Sequence, residues 1–221
     1  MKAALEDNGW TAKSQVRVLA DGADGMSNLV DTAVSQPTER VLDWFHISMR
    51  LRPIEQMFAK IATAAGATTE FHKLLTEKVP RIRYQLWNGK AEAALERIEA
   101  VYGAGKRWEG AGSIDDTERV RRFQQHLIDL RDYLRSNWRG LRNYALETRQ
   151  GRTISSAMAE SAMSHLVNQR LGKSQPMRWS AKGAHLLLQV RCAALNGQLD
   201  NLFREWHPDF RKHQATSLPV M

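Results

Sequence analysis

The chain has 221 residues and a single cysteine, Cys192. One thiol excludes an internal disulfide and fits a reducing compartment. It lies in the apolar run 184–195, where it reads as a small core residue. The sequence has no stretch approaching the roughly 20 apolar residues that a bilayer-spanning helix needs. The segment Met1-Lys2-Ala3-Ala4-Leu5-Glu6-Asp7 carries no apolar signal core. These absences predict no membrane partner and a soluble, cytoplasmic protein. One Cys and scattered His residues lack the ligand spacing of a zinc site. Internal repeats and low-complexity segments are missing as well. Acidic residues become scarce toward the end of the chain: between Glu147 and Asp200 the only carboxylate is Glu160.

What is present is positive charge. Lys and Arg outnumber Asp and Glu by 32 to 24, a formal net charge of +8. Such a balance favours nucleic acid or anionic surfaces, although an ordinary basic protein with a solvated surface can share it. The window around Glu160 holds Arg149, Arg152, Arg170, Lys173, Arg178, Lys182 and Arg191. A lone acid in such a stretch has a physical use. Carboxylates hold Mg²⁺, and the flanking cations neutralise phosphates. Arg152, Arg170, Lys173, Arg178 and Lys182 are therefore the candidate phosphate contacts. A second basic block runs from Arg119 to Arg152, with nine Arg against Asp129, Asp132 and Glu147; its bland reading is a solvated helix face.

Residues 16–20 (Val16-Arg17-Val18-Leu19-Ala20) read as a strand closed by Asp21-Gly22-Ala23-Asp24-Gly25. Residues 26–34 read as a short helix, and Gln36-Pro37 breaks the chain. The run from Val41 to His46 reads as a second strand. Strand, helix and strand predict a parallel pair, a piece of an α/β sheet with its site-forming end at Asp21. From Ile47 to about Thr148 the period becomes helical. Helices are predicted over 49–65, over 91–102 after the Asn88-Gly89 break, and over 114–137, where Ser113-Ile114-Asp115-Asp116 resembles a capped start. A further helix over 153–171 carries Glu160, an apolar core helix covers 181–199, and a polar tail begins near Pro208. The fold class expected is mainly α with a small parallel β remnant. Its parts are a strand–helix–strand piece at 1–47, a helical insertion at 48–148, a segment with the Glu160 helix and a closing core helix at 149–200, and a tail at 201–221.

Two blocks carry a resemblance. One is Val18-Leu19-Ala20-Asp21-Gly22-Ala23-Asp24 followed by Leu42-Asp43-Trp44-Phe45-His46-Ile47-Ser48-Met49-Arg50. The other is Gly151-Arg152-Thr153-Ile154-Ser155, Glu160-Ser161, Leu166-Val167, Arg170, Met177-Arg178-Trp179-Ser180 and Gly183-Ala184-His185-Leu186-Leu187-Leu188-Gln189. In order and spacing, over about residues 14–210, the chain resembles bacterial insertion-sequence transposases of the ISKra group. The resemblance implies an Asp-Asp-Glu recombinase whose ribonuclease-H-like core is interrupted by an all-helical insertion. It implies that Asp21 is the second catalytic Asp, at the end of the fourth strand, and that Glu160 is the catalytic Glu. Both would hold Mg²⁺. Two such ions about 4 Å apart clamp the attacking and leaving oxygens of a phosphodiester. Water attack then frees a 3′-OH at the element end, and that 3′-OH attacks target DNA.

The partner implied is double-stranded DNA, as element ends and target, at a nucleoid location. Asp24 is a competing ligand. Asp43 and His46 match a pair that follows the fifth strand in related transposases and are possible accessory residues, with hydrogen bonding as the plainer reading. Trp44 and Trp179 read as core or hinge packing. The family's first catalytic Asp has no counterpart. Glu6 and Asp7 are the only earlier acids, and no apolar strand leads into them. The chain therefore looks like the carboxyl-terminal portion of a transposase, expected to be inactive alone and to pair with the missing upstream part or with the full-length enzyme. Two other readings stand beside it: a DNA-binding protein or repressor that needs no metal, and a basic helical scaffold that needs neither.

Overall fold

In the computed structural model residues 2–11, 13–22, 30–34, 37–62, 70–108, 114–168, 171–172 and 178–209 are described. The chain forms two compact units, Met1–Ser156 and Ala157–Met221. The described residues are mainly helical, with one two-stranded parallel sheet.

The first unit is built on apolar stripes. The helix Ile114–Ser136 (α5) buries Val120, Phe123, Leu127, Leu130 and Leu134. Their spacing alternates three and four, which keeps one seam facing a partner along the whole helix. Trp44–Ala62 (α2) buries Ile47, Leu51, Ile54 and Ile61. Glu70–Trp87 (α3) buries Phe71, Leu75, Val79, Ile82 and Leu86. Ala91–Trp108 (α4) buries Ala94, Ile98, Val101 and Ala104. Each of these helices packs on two of the others, α2 on α3, α3 on α4, α4 on α5 and α5 back on α2. Four stripes close on a single core, the arrangement of a helix bundle. The expected break at Asn88-Gly89 joins α3 to α4. Gly89 adopts φ +72°, and a Cβ there would lie 2.8 Å from the Asn143 Cβ, so only glycine suits the turn.

The sheet sits beside this bundle. A short helix, Lys2–Asp7 (α1), precedes Arg17–Ala20 (β1), which pairs in parallel with Glu39–Leu42 (β2); Arg17 stands opposite Glu39 and Ala20 opposite Leu42. Residues 30–33 of the connection are helical, as expected for a parallel crossover. Residues 26–29 of the expected helix over 26–34 lie outside the described residues, and the helical turn ends before Val34.

The far edge of β2 is closed by side chains from the segment after α5. The Arg142 guanidinium donates to the Arg40 carbonyl at 2.8 Å, and the Tyr144 hydroxyl donates to the Leu42 carbonyl at 2.8 Å. The 3₁₀ turn Trp138–Gly140 packs against β2. Tyr144 opens the helix Tyr144–Arg149 (α6), capped by the Asn143 side chain, and its ring packs with Trp44 and Trp87. Tyr133 of α5 donates its hydroxyl to the Asp21 carbonyl at 2.9 Å. Arg17 Nη2 meets Glu147 Oε2 at 2.6 Å. These bonds fasten both strands to the helical block.

The second unit holds Ala157–Met163 (α7), a π-helical turn Ser164–Asn168, Ala181–Leu195 (α8) and Leu199–Trp206 (α9). Ser180 caps α8 by accepting from the Gly183 amide at 3.0 Å. Arg191 donates from α8 to the carbonyls of Leu166 and His165.

Several expectations are corrected here. The second strand ends at Leu42 and does not reach His46. Asp43 accepts from the Phe45 amide at 2.9 Å and starts a helix, and the N-cap overrides the β-preference of Trp44 and Phe45. The helix carrying Glu160 begins at Ala157, because Thr153–Ser156 is tied as loop: Ile154 accepts from the Trp44 amide at 3.0 Å. The helix expected as core at 181–199 ends at Leu195 and buries only Ala193. Leu186, Val190 and Leu195 are 54, 53 and 62% exposed, and Cys192 is half-buried. An apolar run carries no direction, so it cannot say which face meets a neighbour.

Candidate nucleic-acid interface at the carboxyl end of the strand pair

Ligands of open parallel sheets gather at the carboxyl ends of the strands. Here that end opens into a cleft of about 730 Å³, lined by Ala20 at the end of β1 and Gly22 beyond it, by Arg40 to Leu42 of β2, and by residues 135–140. Asp21 stands between two of the lining residues and is exposed. Its carbonyl is held by Tyr133. Burial pushes the pKa of the Tyr133 hydroxyl up to about 12, against the Arg50 guanidinium, which lies 4.1 Å from the ring centroid. The hydroxyl thus stays protonated and donating at neutral pH. Gly22 takes φ +91°, and a Cβ there would fall 2.6 Å from Asn137 Oδ1. Close approach of the strand end to residue 137 shapes the cleft wall.

Three arginines line this cleft: Arg40, Arg135 and Arg139. Arg40 pairs with Asp31, and Arg135 meets Glu99 at 3.1 Å. Both pairs are exposed, so each is weakly held and can yield to a phosphate. Arg135 and Arg139 belong to the basic block noted in the sequence. Arg40 does not, and only the pairing of β2 with β1 brings it there. Trp138, 41% exposed, lines the same cleft. The signal that could have found it is an aromatic between Asn137 and Arg139 in a basic stretch, a pattern of stacking sites.

Asp43 and His46 are brought together. Asp43 is 1% exposed. Its Oδ1 accepts from the amides of Phe45 at 2.9 Å and Ser156 at 3.2 Å. Its Oδ2 accepts from the Ser156 hydroxyl and from His46 Nδ1 at 2.9 Å. Burial would raise the Asp43 pKa, but the hydrogen bonds from Ser156, Phe45 and His46 outweigh it and hold the carboxyl below its usual value. Both oxygens are doubly engaged. The carboxylate pins the β2–α2 junction to the 153–156 loop and fixes His46 with Nδ1 protonated.

Arg152 is exposed and meets Glu147 at 3.5 Å. Glu147, in the sequence only one acid in a basic block, is buried beneath Arg17. Burial pushes its pKa up, but the Arg17 hydrogen bond and the charges of Arg17 and Arg152 prevail and hold it below the usual carboxylate range. Glu160, in the first turn of α7, is exposed. Arg178 and Lys182, before and within the first turn of α8, are exposed too. These three belong to the second unit, whereas Asp21, Asp43, His46 and Arg152 belong to the first. Asp24, Arg170 and Lys173 lie outside the described residues. Trp44 packs at 4.9 Å from Trp87, as expected of a core residue, whereas Trp179 is 37% exposed.

For a hard divalent cation the chain offers exposed carboxylate oxygens at Asp21 and Glu160. Among the described residues of the first unit, no group of three metal-ligating side chains includes Asp21. No described helix is long and apolar enough to cross a membrane. Comparison with protein-family models, with curated proteins and with solved structures found no match.

Proposed function

We propose that this chain acts on DNA as part of an Asp-Asp-Glu transposase with a ribonuclease-H-like core. In this reading β1 and β2 are the fourth and fifth strands of that core. Asp21 and Glu160 are two of the three carboxylates that hold Mg²⁺, and Arg152, Arg178 and Lys182 contact phosphates with Arg40, Arg135 and Arg139. The observation that carries the reading is the position of Asp21, directly after a parallel strand at the rim of an arginine-lined cleft. The anion suited to three arginines and a carboxylate-held cation is a phosphodiester.

The test is a duplex-DNA titration by fluorescence anisotropy across salt concentrations. Binding in the micromolar range, weakly dependent on sequence and falling steeply with salt, is the expected result. Replacing Arg40 and Arg139 with Ala should lower the salt slope by about 1 for each phosphate that is no longer neutralised. Absence of binding even at low salt refutes the reading.

A second reading, a DNA-binding protein or repressor of transposition that needs no metal, is favoured by one observation. Asp43 accepts hydrogen bonds on both oxygens from Phe45, Ser156 and His46, a structural use that calls for no cation. Asp21→Asn separates the two. The transposase reading expects Mg²⁺ to strengthen DNA binding by wild type and not by the variant. The repressor reading expects no response to Mg²⁺ from either.

A further inference from the structure

We propose that the cleft at the carboxyl end of β1 and β2 receives one unpaired nucleotide of a DNA strand, its phosphate among Arg40, Arg135 and Arg139 and its base against Trp138. The inference rests on the DNA reading above and names what enters this site.

Size and chemistry together argue for it. A cavity of about 730 Å³ lies in the range of pockets that enclose small ligands and is far too small for a duplex. A nucleotide can enter only after leaving its stack. The walls differ in kind. Arg40, Arg135 and Arg139 supply cationic donors suited to phosphate oxygens. Trp138 supplies the one large aromatic surface of the lining, and it is 41% exposed where a structural tryptophan would be covered. Arginines beside an exposed aromatic make up the usual platform for single-stranded nucleic acid, in which backbone and base are held by separate groups.

The site is also held in place. Gly140 packs so closely on β2 that a Cβ there would lie 3.1 Å from the Leu42 amide nitrogen. Asn137 donates to the Tyr133 carbonyl at 2.9 Å, and the Leu141 amide donates to the Trp138 carbonyl at 3.2 Å. The turn carrying Trp138 is thus fastened at both ends to elements that do not depend on ligand. Surface arginines alone would serve a duplex equally well; the exposed ring in the same cleft is what a duplex would not use.

The experiment compares two DNA probes of equal length and charge, a blunt duplex and a duplex with a short unpaired stretch, for wild type, Trp138→Ala, Trp138→Phe and Arg139→Ala. Wild type should bind the probe with unpaired nucleotides about tenfold tighter than the blunt duplex, from stacking of one base. Trp138→Ala should lose this preference while keeping its affinity for the blunt duplex. Trp138→Phe should retain most of it. Arg139→Ala should weaken both probes. Wild type binding both probes equally, or Trp138→Ala keeping the preference, overturns the nucleotide pocket and leaves the DNA reading standing. Wild type binding neither probe removes both.

Discussion

Replacing Asp43 should damage this protein by an amount that depends on what replaces it. The carboxylate is 1% exposed and accepts four hydrogen bonds, two on each oxygen. Asp43→Ala leaves the amides of Phe45 and Ser156 without their acceptor in a buried site. Each unsatisfied buried group costs about 1–3 kcal/mol, so a loss of about 3–5 kcal/mol is expected. For a chain of this size about 1 kcal/mol moves Tm by roughly 2–4 °C, which places the drop at about 6–20 °C.

Asp43→Asn should be far milder, at about 1 kcal/mol. Its oxygen can still accept from both amides, and its NH₂ can donate to the Ser156 hydroxyl and to a His46 Nδ1 that has shifted its proton to Nε2. The pH response separates the two acceptors further. The folded pKa of Asp43 lies below the ordinary 3.8. Its contribution to stability is therefore present above that ordinary value and is lost as pH falls through the lower, folded pKa. Thermal unfolding followed by circular dichroism, from pH 7 down to pH 3, reads both effects. The difference in Tm between wild type and Asp43→Asn should shrink below about pH 4, where the unfolded chain takes up a proton on Asp43 that the folded protein still resists. An Asp43→Ala protein within about 2 °C of wild type, or an Asn variant as damaged as the Ala variant, would show that the four bonds do not hold the β2–α2 junction.

Tyr144→Phe keeps the ring against Trp44 but removes the donor to the buried Leu42 carbonyl, and should cost about 1–2 kcal/mol by urea unfolding; an unchanged midpoint would mean that β2 is held by something else. Glu147→Gln removes the closer of the two carboxylates that Arg17 meets and leaves only Glu39 at 3.6 Å, while Arg17 Nε and Nη1 are already buried without a hydrogen bond. A loss of about 1–3 kcal/mol is expected, together with faster amide exchange in β1, and unaltered exchange there would refute the tie. Gly22→Ala forces an alanine into a left-handed backbone and against Asn137. It should lose about 1–2 kcal/mol in a denaturant titration, and a neutral result would show that the strand end relaxes freely.

The helical character of the block was legible because its signal is local: the helical period after Ile47 and the Asn88-Gly89 turn lie within short windows. Its core was legible only in part, because the charge of α5 hid the seam from Val120 to Leu134, and α3 was not read as a separate helix. The parallel pairing of β1 with β2 was legible for the same reason: a short strand, a helical connection and a second apolar run allow few alternatives. The end of β2 was not legible. Trp44 and Phe45 suit a strand as well as a helix, and the choice fell to Asp43, whose second anchor, Ser156, is 113 positions away.

The charge excess and the place of Asp21 after a strand are properties of the sequence alone. The cleft beside Asp21 is a product of the tertiary structure. Arg40 reaches it on β2, Arg135 at the end of α5, and Trp138 and Arg139 on the turn that follows. The bonds that fasten strands to helices, Tyr133 to Asp21, Tyr144 to Leu42 and Arg17 to Glu147, span 112, 102 and 130 positions. Periodicity reports which face of an element avoids water, because that preference repeats every turn. Which carbonyl meets which hydroxyl depends on where two distant backbones come to rest, and no local pattern in the sequence encodes that.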